Sequence, residues 1–423
     1  MQGNRLTILR WPAAMVLTGL SLRVLYILVT HCYRFGPEHW STFEMATLGH
    51  SLASGRGFAL AEGAGPSAWT APVYPYLIAL AFLIFGVFSP AAAFALLLVN
   101  SVFAALTSWT IYRIARRLFT ESVAVWSGWI WVLLPSSIYF AVYWFWETTL
   151  SAFLLSLLFL LTLQMANENR PLFWCGYGFL WGLIALINTS AVAWLPFAGC
   201  WLVYQLRCRQ RPYLRAVVLG SVVFWLTLTP WLVRNYVVFG EPLVRGDFGV
   251  ELRAGNNPQA QGWWVATYTY NNPVLARQYR SMGESAYVAE QGREARKWIA
   301  ENPHRFLVVS LRRFVFFWAG IPHHGIAKIE NVFSLAFSLL AVTGLVLACK
   351  RRIQGSFLFL SLLLFYPMVY YVTFPTPRYR HIIEPEMLML AVSILAWGKA
   401  RFLPQKSNPA SVAGKTYAPV SGT

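Results

Sequence analysis

Apolar runs of roughly 20 residues recur along most of this chain, and a run of that length can cross the hydrocarbon core of a bilayer as a single helix. They fall at about 11–31, 90–112, 121–141, 146–166, 172–188, 190–206, 214–234, 330–349, 355–373 and 383–402. Of the 423 residues, 57% are hydrophobic and only 12% charged, against about 25% charged in a soluble domain. The sequence therefore predicts an all-α, polytopic transmembrane helical bundle of about ten spans. The first run follows only Arg5 and Arg10 and has no small-residue cleavage site, so it reads as a retained signal anchor.

A formal net charge of +18 invites a nucleic-acid reading, which the placement of the charge excludes. The basic residues cluster between apolar runs, at Arg113/Arg116/Arg117, Arg207/Arg209/Arg211/Arg215 and Lys350/Arg351/Arg352, rather than on one soluble face. Basic loops at alternate exits are the positive-inside signal. With both termini cytoplasmic, all three clusters and the Lys399/Arg401/Lys406 tail face inward. Two further apolar runs, 72–88 and 307–320, break that parity if counted as spans, so they are expected to lie in the outer interface.

The same parity divides the chain into a membrane domain over 1–402 and a Ser/Pro/Ala/Gly-rich tail over 403–423, expected to be disordered. Two outer segments are large enough to fold: 32–71, extended to 89 by its interfacial helix, and 235–329. All acids but Glu121 and Glu168 fall outside or at an outer span end, and Asp247 is the only aspartate. The cysteines Cys32, Cys175, Cys200, Cys208 and Cys349 show no metal-like spacing and read as apolar filler. No internal repeat and no paired Gly/Pro-interrupted spans are evident, which counts against an inverted-repeat transporter.

Chemistry-bearing residues concentrate in the outer segments. Glu44 falls at the first turn of a short amphipathic helix, Met45–Ala53, closed by Ser54-Gly55-Arg56-Gly57. A carboxylate there is either a base held against a substrate or a residue matched to the free amides of the helix start. Glu38 competes for the same role, and His50 reads as packing. Arg234 ends a span, where a guanidinium can grip a phosphate through two hydrogen bonds or merely snorkel. Asn256, in the turn Gly255-Asn256-Asn257, is a candidate sugar-hydroxyl partner, and Trp69 and Tyr74 are candidate stacking surfaces. Before the last run, Arg378, Arg380 and His381 either bind an anionic headgroup or pair locally with Glu384 and Glu386. Arg23, deep in the first span, needs helix carbonyls or a partner such as Glu147. No Gly-rich nucleotide loop, His/Cys metal cluster or Ser-His-Asp spacing appears.

Taken in order, Glu44, Ser51-Leu-Ala-Ser-Gly-Arg-Gly-Phe58, Pro72-Val-Tyr-Pro-Tyr-Leu77 and Phe85-Gly86 resemble the GT-C superfamily of polytopic glycosyltransferases. This superfamily includes the protein O-mannosyltransferase-like and aminoarabinose-transferase-like enzymes of glycosyltransferase family 39 and its bacterial relatives. Arg234-Asn235, Phe239-Gly240 and Arg378-Tyr379-Arg380 continue the match. The resemblance implies a GT-C-like fold in a bacterial inner membrane and a polyprenyl-phosphate sugar donor used on the extracytoplasmic face. It gives the general-base role to Glu44, with Glu38 as fallback, and donor phosphate recognition to Arg234, Arg378 and Arg380. The acceptor would be a lipid, glycan or protein, with membrane lipids around it; no cofactor is implied, and a divalent metal stays open. Many relatives carry an Asp where Glu44 stands, and some place a Lys near the Pro-x-Tyr-Pro segment that this chain lacks. A lipid or polysaccharide transporter and a non-catalytic cell-envelope assembly subunit are the alternatives from other classes.

Overall fold

The computed structural model describes residues 2–36, 40, 43–60, 65–265, 273–322 and 327–402. Glu38 and the tail over 403–423 lie outside the described residues. Among those described, the chain is helix and turn, with no strand.

A helix, or a broken pair of helices, stands on each apolar run. In order these are Gln2–Thr30, Pro90–Leu118, Glu121–Leu133 with Pro135–Val142, Thr148–Met165 and Pro171–Ala185. Then come Leu195–Cys208 behind a 3-10 turn at Thr189–Trp194, Leu214–Phe239, Ala327–Lys350, Ser356–Phe365 with Met368–Val372, and Glu384–Phe402. Five stretches, Trp11–Thr30, Pro90–Leu118, Thr148–Met165, Leu214–Phe239 and Ile329–Lys350, are long and apolar enough to cross a membrane, and the bent pair makes a sixth. Prolines open several of these helices, where the missing N–H costs nothing.

The sequence shows no paired interrupted spans, and among the described residues one run, read as the single span 121–141, is bent. Glu121–Leu133 and Pro135–Val142 meet at a 47° bend. Proline restricts the residue before it to extended conformations, and Leu134 sits at φ −64, ψ 123. Near Pro367, Ser356–Phe365 passes into Met368–Val372 through a two-residue turn. Arg23 fills the first break. It donates to the carbonyls of Gly19 (2.9 Å) and Val132 (3.4 Å) and to the Ser137 hydroxyl (2.7 Å), rather than to Glu147. A guanidinium buried at that depth is tolerated because backbone and hydroxyl oxygens replace its water.

Packing between the long helices rests on small residues. A Cβ on Gly178 would stand 2.1 Å from the Gly220 carbonyl oxygen, and one on Gly344 would stand 2.1 Å from that of Leu390. Pro171–Ala185 and Leu214–Phe239 can approach this closely only where the side chain is a hydrogen, the usual device for joining helices in lipid.

Several helices between spans are short, while Glu284–Glu301 and Pro303–Ala319 run to 18 and 17 residues. Glu44–Ala53 lies on Val73–Phe85 through Gly49, where an added Cβ would meet Ile78 Cγ2 at 2.5 Å. Val73–Phe85 has 13 residues, about 20 Å against about 30 Å of hydrocarbon. Phe248–Gly255 packs through Gly249 against Glu284–Glu301 and through Gly255 against the Thr373 carbonyl, 2.0 Å from an added Cβ. Arg313, buried on Pro303–Ala319, clips this corner by donating to the carbonyls of Gly255 and Val372.

Overpacking a close helix crossing costs about 1–3 kcal/mol or more. Gly178→Val should therefore lower the melting temperature of the purified protein in detergent. Gly176→Val, on the same helix with nothing within 4 Å of its added Cβ, should leave it unchanged.

Candidate active site

Three separate parts of the chain converge on one charged centre. Glu44 is the first residue of Glu44–Ala53, Arg245, Asp247 and Glu251 lead into and lie on Phe248–Gly255, and Arg378 opens the five-residue helix Pro377–His381. Asp247 is 3% exposed and forms an ion pair with Arg245, which also reaches Glu251 at 3.4 Å. The Trp69 side chain hydrogen-bonds the Glu44 carboxylate. Phe43, immediately before Glu44, packs edge-on against Trp144 and Phe145, which fixes where the helix begins.

Acids outnumber the guanidiniums around them, and burial sharpens the effect. Desolvation, then the negative charge of Asp247, pushes the Glu44 pKa up to about 7 against the pull of Arg245 and Arg378. Desolvation and Asp247 likewise push Glu251 up to about 8, with Glu44 adding to the rise. Burial works against the charge on Arg245, but Asp247 and Glu251 more than offset it and hold its pKa well above the ordinary value. The centre thus keeps a carboxyl able to exchange a proton near neutral pH.

Arg378 is the part-exposed cation of this centre. Its guanidinium lies 3.9 Å from the Trp146 ring centroid and donates to the Tyr379 hydroxyl at 3.1 Å. Tyr379 in turn stacks on Tyr370 at 4.2 Å. Among the described residues no carboxylate comes within ion-pair distance of Arg378. Burial works against its charge, but Tyr379, then Glu147, then Glu251 more than offset it and hold the Arg378 pKa above the ordinary value. Glu147, 7% exposed, leaves Oε2 without a partner among the described residues. Aromatic faces orient a guanidinium without neutralising it.

The other residues singled out in the sequence lie elsewhere or are already engaged. Arg380 is bound to Glu384 at 3.1 Å and to the Ser334 hydroxyl at 3.1 Å. His381 is fully buried, joined to Glu384 at 2.7 Å and stacked on Trp131. The local pairing weighed against an anion for these two is what the structure contains. Asn256 is buried and spends its amide on the carbonyls of Leu252 and Val372, and its Oδ1 accepts from Arg313, so a role toward sugar hydroxyls is not available to it. Tyr74 is buried with its hydroxyl on Asn100. Trp69 is 3% exposed and meets Tyr279 edge-on, which makes it a partner of Glu44 rather than an open stacking face. Arg234 stands apart from Arg378, donating to the Ser67 carbonyl and to Asn235 Oδ1, each at 2.7 Å; Asn235 returns its amide to the Leu243 carbonyl.

Arg245, Asp247 and Glu251 were missed. The lone aspartate of the chain, set in the longest loop between two spans, was the available signal. Among the described residues no group of three His, Cys, Asp or Glu has the arrangement of a metal site.

Comparison with known proteins gives one family. The model described as dolichyl-phosphate-mannose-protein mannosyltransferase matches residues 69–233, which include Trp69, Trp146 and Glu147 but not the rest of the charged centre. No curated protein matches. Among solved structures, the chain is similar to the archaeal oligosaccharyltransferase AglB from Archaeoglobus fulgidus, in complex with an inhibitory peptide and a dolichol-phosphate. That likeness has 11% identity and a TM-score of 0.49 over 94% of this chain and 52% of that one. It is also similar to ArnT from Cupriavidus metallidurans bound to undecaprenyl phosphate, with 12% identity and a TM-score of 0.42 over 90% and 77% of the two chains. The chain spans about half the length of the oligosaccharyltransferase, 52% of it. The GT-C resemblance read from short motifs is thus joined by a family match over the adjoining segment.

The two arginines near the last span should separate in experiment. Glu384→Ala strands Arg380 and His381 without their buried acid, a loss of about 3–5 kcal/mol, read as a large fall in melting temperature. Arg378→Gln removes no ion pair and should melt within a few degrees of the parent.

Proposed function

From a chain whose residues 69–233 match the dolichyl-phosphate-mannose-protein mannosyltransferase family, we infer a membrane glycosyltransferase that uses a polyprenyl-phosphate sugar. The observation that carries this reading is the pairing of a proton-exchanging carboxyl, Glu44, with a cation, Arg378, that has aromatic support and, among the described residues, no carboxylate within ion-pair distance. A base and an anion holder in one desolvated centre are what transfer from a lipid phosphate requires.

In this mechanism the acceptor hydroxyl or amine attacks the anomeric carbon while Glu44 takes its proton. The bond from that carbon to the phosphate oxygen breaks on the opposite face, so the anomeric configuration inverts. The electron pair leaves on the phosphate, which stays attached to its polyprenyl chain. Arg378 meets the charge that grows on that phosphate. Arg245 keeps Asp247 and Glu251 in place and moderates the negative potential around Glu44. Trp69 orients the Glu44 carboxylate through its hydrogen bond.

A transporter remains the second reading, because the 47° bend beside buried Arg23 is the kind of broken span that such proteins use. Turnover separates the two. Incubation with a polyprenyl-phosphate sugar and a lipid or glycan acceptor fraction should release free polyprenyl phosphate. Transport without release would overturn the transferase.

Glu44→Gln should cut release by about 10²–10⁴-fold. Removing the Arg378 charge should cost about 10²–10³-fold. The base must be unprotonated, and its pKa is raised, so activity should fall as pH drops through about 7 to 8, the range set by Glu44 and Glu251 together. A flat profile between pH 6 and 8 would remove Glu44 from the role.

A further inference from the structure

Trp69, whose side chain hydrogen-bonds the Glu44 carboxylate, belongs to no helix: residues 65–72 are irregular backbone leading into Val73–Phe85. Ser67, Ala68 and Trp69 are nevertheless buried, at 0–3% exposure. Irregular backbone out of water keeps its place only through partners. We propose that Glu284 anchors this stretch and, by holding Trp69 on Glu44, acts as a positioning residue for the base. That the positioned group is a base rests on the transferase reading; the hold of Glu284 on Trp69 does not.

The anchor has several grips. Glu284 is the first residue of Glu284–Glu301 and is 6% exposed. Its Oε1 accepts from the Ala68 N–H at 2.5 Å, and its Oε2 accepts from the Tyr279 hydroxyl at 2.7 Å. The Ser67 hydroxyl donates to the same carboxyl and accepts from the Trp69 N–H at 3.0 Å. Tyr279 in turn meets the Trp69 ring edge-on, with centroids 5.8 Å apart. One carboxyl therefore holds the backbone on which the indole is mounted and the ring against which it rests. Either grip alone would leave a hinge.

The same stretch is tied to the other half of the charged centre. The Ala68 carbonyl accepts from the Gly246 N–H at 2.7 Å, and Gly246 stands between Arg245 and Asp247. A Cβ added to Gly246 would lie 3.4 Å from both Cβ and O of Ala68. Phe248–Gly255, which carries Glu251, packs on the helix that Glu284 opens: a Cβ on Gly249 would stand 2.2 Å from the Val288 carbonyl oxygen. The start of Glu284–Glu301 thus sets the register between the Glu251 helix and the support of Glu44.

The consequence is carried by a proton. Asp247, Arg245 and Arg378 act on Glu44, and Glu44 acts on Glu251. Ser67, Tyr279 and Asp247 act on Glu284, whose own charge reaches Arg234. An N–H donated to a carboxylate favours its charged form. Trp69 therefore lowers the proton affinity of Glu44, against burial and Asp247. An indole freed from its anchor gives that up.

The test follows the Glu44 proton in the full chain in detergent, as the protonated-carboxyl infrared band that Glu44→Gln removes, with polyprenyl-phosphate release measured over the same pH series. Glu284→Ala should move the midpoint of that band upward by about one pH unit, as for the loss of one hydrogen bond to a charged group. Glu284→Gln should restore the parent midpoint, because its Oε1 can accept from Ala68 and its amide can donate to the Tyr279 oxygen. Tyr279→Phe keeps the ring on Trp69 but loosens the carboxyl, so it should shift the midpoint the same way by less. It reads the anchor even if Glu284→Ala fails to fold. The acidic limb of release should move with the band. An unmoved midpoint in Glu284→Ala, or in Tyr279→Phe where Glu284→Ala does not fold, overturns the proposal, whatever happens to overall activity. Equal shifts in Glu284→Gln and Glu284→Ala would make charge the cause and overturn it as well. A parent that releases no polyprenyl phosphate sinks the transferase alone, since the band is read without turnover.

Discussion

The balance of charge around Arg245 and Arg378 governs the rest of this structure. Glu44, Asp247 and Glu251 are drawn together out of water, and two guanidiniums do not fully compensate them. Full ionisation of all three acids would concentrate negative charge in a weakly screening environment. Raised carboxyl pKa values are the cheaper outcome, and a carboxyl that holds its proton near neutrality is also one that can give it up there. The same imbalance makes Arg378 valuable to an incoming phosphate, whose charge would otherwise be repelled by the acids.

Holding such a centre together demands rigid supports, because like charges push the segments apart. Gly49 seats the Glu44 helix on Ile78, and Gly255 seats the Glu251 helix on the Thr373 carbonyl. Arg313 ties that second contact through Gly255 and Val372. Each contact is a place where a side chain larger than hydrogen would displace a carboxylate. The fold thus spends its closest backbone approaches on positioning chemistry as well as on joining spans.

How far this could be read in advance depended on the scale of the signal. Helices appeared on every long apolar run because length and hydropathy decide them locally. The short helix at Glu44–Ala53 was legible from its amphipathic spacing and its Gly-rich close. Tertiary pairing was not legible. Arg378 and Arg380 sit two positions apart with the same charge, yet one faces Trp146 and the other Glu384. The offset of four to Glu384 favours Arg380 and is local, whereas the packing of Arg378 against Trp146 joins distant parts of the chain and leaves no local trace. The bend at Leu134–Pro135 was missed because the apolar run continues unbroken across it, so composition hid what Pro135 does to its predecessor.

Sorting the arginines by what surrounds them shows which are structural. Arg23 and Arg313 are buried among carbonyls, Arg380 is closed by Glu384, and Arg245 is held by Asp247 and Glu251. Arg380 and Arg245 are neutralised by these acids, whereas Arg23 and Arg313 keep their charge among neutral oxygens. Arg234 is aimed by the Ser67 carbonyl, Asn235 and aromatic rings, and Arg378 by Trp146 and Tyr379, with Tyr379, Glu147 and Glu251 acting on it through charge. The Ser67–Trp69 segment touches Arg234 through Ser67 and Glu44 through Trp69, so one short stretch of chain supports both a cation and the candidate base.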